Sequence, residues 1–110
     1  MKIMSFIDEK FKSVENSLKD ILNSGDFNKA NDCFYKLNSY IDQFVDDLFY
    51  DIDFKEYPII YPIVKIRTYC LYVILNDNNV SNNQYKEIIK STLESLDIIY
   101  KDTDYVKYKD

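Results

Sequence analysis

Apolar residues along this chain recur at alternating spacings of three and four, the period of a helix that buries one stripe and exposes the rest. The first run is Ile7, Phe11, Val14, Leu18 and Ile21. Ser5 is placed to cap its start. Asn23-Ser24-Gly25 stops it with the only glycine in the sequence, the residue that best takes the left-handed C′ conformation. Asp26 then caps a second helix almost at once. Its seam is the most regular in the chain: Phe27, Ala30, Phe34, Leu37, Ile41, Phe44 and Leu48. A connection of about two to four residues forces the first helix to pack antiparallel on the second. Cys33, Tyr40, Val45, Phe49 and Ile52 widen the second stripe toward a further neighbour.

A third helix is expected from Pro62, which suits the first helical position because its missing N–H would have no partner there. Ile63, Val64, Ile66, Tyr69, Cys70, Leu71, Val73, Ile74 and Leu75 make it apolar on nearly every side, the mark of a central helix. Asn76-Asp77-Asn78-Asn79 ends it in a turn. Ser81 and Gln84 then have the spacing of a capping box, and Val80 and Tyr85 that of a hydrophobic staple. A fourth helix follows, with Tyr85, Ile88, Ile89, Thr92, Leu93, Leu96 and Ile99 along one side. The closing KDTDYVKYKD, 101–110, is charged and expected to fray.

These elements make an all-α fold, a compact bundle of four main helices in two antiparallel hairpins with short loops, in a single helical domain spanning 1–110. Composition agrees, since one glycine and two prolines are too few for a β-sandwich or a disordered linker. The eleven tyrosines accompany many Asn, Ile, Lys, Asp and Phe residues, all with AT-rich codons, so their number alone does not mark binding. Asp8, Glu9 and Lys10 interrupt the N-terminus, and Pro58, Pro62, Lys65 and Arg67 interrupt the greasiest stretch. Neither a signal peptide nor a membrane span is expected. Cys33 and Cys70 stand apart in sequence, which suits buried free thiols of a reducing, cytoplasmic compartment. GDFNKANDCFYKLNSYI, with Gly25, Ala30 and Phe34 at small and aromatic positions, resembles part of a tetratricopeptide repeat. No matching second copy follows, and the resemblance implies a helical hairpin and no function.

Catalytic and cofactor chemistry has little to work with. No histidine occurs, which removes Ser–His and Cys–His pairs and imidazole metal sites. A lone glycine does not build a phosphate-cradling loop, and two separated cysteines do not make a thiolate zinc site. Glu9, Glu15, Glu56, Glu87 and Glu94 lack the histidine that a carboxylate metal site in a helical bundle uses. The expectation is a protein that is not an enzyme and holds no metal or cofactor. Direct nucleic-acid binding is disfavoured by a net charge of −5 and a single arginine, Arg67, because phosphate contacts require a basic surface. Arg67 is expected to be half-buried and paired with a nearby acid.

Charge is concentrated in one place. FVDDLFYDIDFKEYPIIYP, Phe44 to Pro62, sets Asp46, Asp47, Asp51, Asp53 and Glu56 against Lys55, a local −4 that leaves −1 for the rest of the chain. Charge so gathered steers a cationic partner, whereas dispersed charges cancel beyond a Debye length of roughly 8–10 Å. Phe49, Tyr50, Phe54, Tyr57 and Tyr61 lie among the acids, and tyrosine is a favoured interface anchor. The candidate partner-binding residues are therefore Asp46, Asp47, Phe49, Tyr50, Asp51, Asp53, Phe54, Glu56, Tyr57 and Tyr61. They fit a small acidic inhibitor, of immunity-protein, antitoxin or anti-defence type, that occupies a basic site on a partner protein. Its likeness to bacterial immunity proteins is one of size, acidity and expected helical content, without a shared motif. The alternative is a structural adaptor or self-associating bundle, a homodimer included, that pairs through the seam of the second helix. On a bland reading, the same aromatics simply complete the core.

Overall fold

A computed structural model describes residues 10–51, 60–76 and 79–101, with side chains at 10–43, 61–76 and 79–99. They form α1 (Lys12–Ser24), α2 (Ala30–Asp51), α3 (Ile60–Leu75) and α4 (Asn82–Lys101), with no strand among the described residues. The packed pairs are α1 with α2, α2 with α3, α3 with α4 and α4 with α1. This is the expected all-α bundle of four helices, closed into a ring.

Where they are described, α1, α2 and α4 turn their predicted stripes inward. Phe11, Val14, Leu18 and Ile21 come from the first segment, Ala30, Phe34, Leu37 and Ile41 from α2, and Tyr85, Ile89, Leu96 and Ile99 from α4. All are buried. The chain enters α1 through Phe11, which is already helical at φ −68°, ψ −37°. Ile7 and Ser5 lie outside the described residues, as do 102–110 and the side chains of Phe44, Val45, Leu48, Phe49 and Ile52.

Local chemistry sets the turns. Gly25 takes the left-handed conformation, φ 74° and ψ 8°, and its N–H donates to the Ile21 carbonyl at 2.9 Å. The connection that follows, residues 25–29, is slightly longer than expected. Asp26 accepts a hydrogen bond from the Asn28 N–H at 3.1 Å, and Ala30 N–H donates to the Phe27 carbonyl at 3.1 Å. The first turn is thus wound tighter than an α-helix before α2 becomes regular. Ser81 and Gln84 form the capping box: Ser81 N–H donates to Gln84 Oε1 at 2.8 Å, and Gln84 N–H to Ser81 Oγ at 3.2 Å. Val80 and Tyr85, the residues with staple spacing, both pack on the core. Tyr85 also stacks on Phe27, with ring centroids 5.9 Å apart, and donates its hydroxyl hydrogen bond to Asn31 Oδ1. These contacts tie the start of α4 to the start of α2.

Two expectations about α3 need correction. It starts at Ile60, so Pro62 sits inside the first turn and not at its first position. The first four N–H groups of a helix have no helical partner, so proline costs nothing there. Nor is α3 central. In a closed ring it touches α2 and α4 and shows its remaining side to solvent. Its inner face is Ile63, Ile66, Cys70 and Val73, all buried.

The cost of the Gly25 turn is testable. A Cβ at this position would meet no atom within 4 Å, so Gly25→Ala should pay only for the left-handed backbone, about 1–2 kcal/mol. Urea unfolding should show that loss, with a smaller one for Gly25→Asn, since asparagine tolerates this conformation. Equal losses for both would mean that the cost has another source.

Candidate functional site

The outer face of α3 breaks the rule that the other helices follow. Tyr61 and Leu75 are 80% exposed, Val64 56%, and Leu71 and Tyr72 40%. Tyr61, Val64, Thr68, Leu71 and Leu75 are spaced three, four, three and four, the spacing of a helix-packing seam. This outer seam runs two residues out of step with the buried one. Two residues turn a helix by about 200°, so the seams lie back to back. Thr68 does not interrupt the stripe with a free hydroxyl, because its Oγ1 donates to the Val64 carbonyl at 2.9 Å. Its methyl is what remains to be presented.

Beside the stripe, α3 and α4 leave an open groove of about 460 Å³. Thr68, Tyr69 and Tyr72 line it from α3, and Gln84, Glu87 and Ile88 from α4. Gln84 Nε2 donates to the Tyr72 hydroxyl at 3.2 Å, which braces that ring at the groove's edge. Glu87 supplies the groove's one ionisable carboxylate. The walls are otherwise apolar or neutral.

Arg67 shows how α2 and α3 align. Its guanidinium nitrogen lies 2.7 Å from Asp42 Oδ1, with both side chains about half exposed, as the expectation of a half-buried, paired arginine required. Counting equal rises along the antiparallel pair from this contact brings the Asp46–Asp47 turn of α2 level with the first turn of α3. The candidate residues divide accordingly. Asp46, Asp47, Phe49, Tyr50 and Asp51 lie on the last turns of α2, with their side chains outside the described residues. Asp53, Phe54, Glu56 and Tyr57 lie outside the described residues altogether. Tyr61 is placed, exposed, at the head of the α3 stripe.

Val64, Leu71 and Leu75 are among the residues that make the third helix look central in sequence, whereas all three are exposed, as is Tyr72. Their three-four spacing was visible, but so was that of the inner seam, and nothing in the sequence says which of two opposite seams finds a neighbour.

Elsewhere the surface offers less. A second hollow, between α1 and α2, carries Asp20, Asp26 and Asp32 with Lys29 and Lys36, a mixed and largely self-cancelling set. Among the described residues, no three of His, Cys, Asp and Glu gather closely enough to hold a metal ion. None of the described helices is long and apolar enough to cross a membrane. Both cysteines are buried free thiols. Burial pushes the Cys33 thiol up, with Lys36 opposing and Asp32 reinforcing the shift. Burial pushes Cys70 up from 9.0 to about 12, against the weaker pull of Arg67. Neither is a thiolate nucleophile near neutral pH.

The Cys70 shift has a pH signature. Below about pH 9 folded and unfolded chains both hold the proton and its contribution is complete. Above that the unfolded thiol ionises while the folded one does not, so stability drains away as pH rises toward 12. The stability difference between wild type and Cys70→Ala, from urea unfolding, should therefore shrink between pH 8 and pH 11. A pH-independent difference would refute it.

No match to this chain is found among protein-family models, curated proteins or solved structures.

Proposed function

We propose that this chain is a protein-binding domain without catalytic activity, and that its docking surface is the outer face of α3 with the adjoining groove. The observation that carries the reading is the stripe Tyr61–Val64–Leu71–Tyr72–Leu75, which leaves large apolar side chains in water along the whole of one helix. Contiguous exposed apolar surface of this kind marks interaction sites, whereas scattered residues do not. Covering a Leu or Val side chain fully is worth about 1.5–3 kcal/mol, so a few such residues support a tight complex.

The acids that precede Tyr61 in sequence give the partner its sign. Asp46, Asp47, Asp51, Asp53 and Glu56 concentrate the chain's charge next to Tyr61 in sequence, which favours a partner with a basic, partly apolar surface. Charge gathered at one end speeds encounter, and apolar contact slows release. An inhibitor that occupies a basic site on another protein, of immunity-protein, antitoxin or anti-defence type, uses both properties. Buried free thiols suit the cytoplasm as its place of action. A second reading, an adaptor or self-associating bundle, draws on the heptad-like spacing of the same stripe. It moves the self-pairing surface from the seam of α2, which is buried in the described residues, to α3.

Affinity capture at low and high salt separates these readings, with the wild type beside two variants. One carries Leu71→Glu and Leu75→Glu, the other Asp46, Asp47, Asp51 and Asp53 changed to Asn. A basic partner should be held by the wild type alone, released by salt, and lost at least about tenfold by the glutamate variant, with unchanged melting temperature. Retention of only the chain itself, indifferent to salt, would favour self-association. Identical partners in all three would remove the α3 face from the function.

A further inference from the structure

We draw no further inference here: the strongest candidate, the open groove between α3 and α4 that Thr68, Tyr69, Tyr72 and Ile88 line, adjoins the exposed apolar face of α3 already described, and nothing in the structure shows what covers it.

Discussion

The seam Ala30–Phe34–Leu37–Ile41 of α2 is buried completely, and one helix cannot cover it. α1 closes one side, brought there by the Gly25 turn, and α3 closes the other. α4 then bridges α3 back to α1. Burial of this seam is what makes the ring a ring, because each added helix must cover a stripe left open by the one before it. A Phe34→Ala change removes about 3–5 kcal/mol from such a core, a large part of the 5–15 kcal/mol that holds a domain of this size together.

A ring of four leaves every helix with an outer face. Among the described side chains of α1, α2 and α4 that face is mainly polar, with Tyr35 of α2 and Ile98 of α4 the large apolar residues exposed there. On α3 it is a second seam. The difference lies in the sequence of α3, where polar residues are confined to Lys65, Arg67 and Thr68. Arg67 leans to Asp42 and Thr68 bonds to its own backbone, so only Lys65 keeps charge in the outward stripe. The exposed apolar side chains therefore share one side of α3, with Thr68 and Lys65 between Val64 and Leu71.

Electrostatics refine this picture without holding it together. The Arg67–Asp42 pair is half exposed, and such pairs contribute about 1 kcal/mol or less. The pair marks which turn of α2 faces which turn of α3. Through that alignment the Asp46–Asp47 turn of α2 lies level with the first turn of α3.

Periodicity determined most of the fold. The stripes of α1, α2 and α4, the Gly25 stop and the Ser81–Gln84 capping box were all legible, because each depends on residues within one or two turns of one another. The acidic run was legible as charge and Tyr61 as an aromatic at its edge, but whether Tyr61 was exposed or completed the core was not. Whether α3 was a central helix or a wall was not legible. Its two seams, Ile63–Ile66–Cys70–Val73 and Tyr61–Val64–Thr68–Leu71–Leu75, have the same spacing and nearly the same hydrophobicity. Only the packed structure decides that α2 and α4 take the first and leave the second in water. Spacing is a local property of the chain, while the number of neighbours a helix has is a property of the whole assembly.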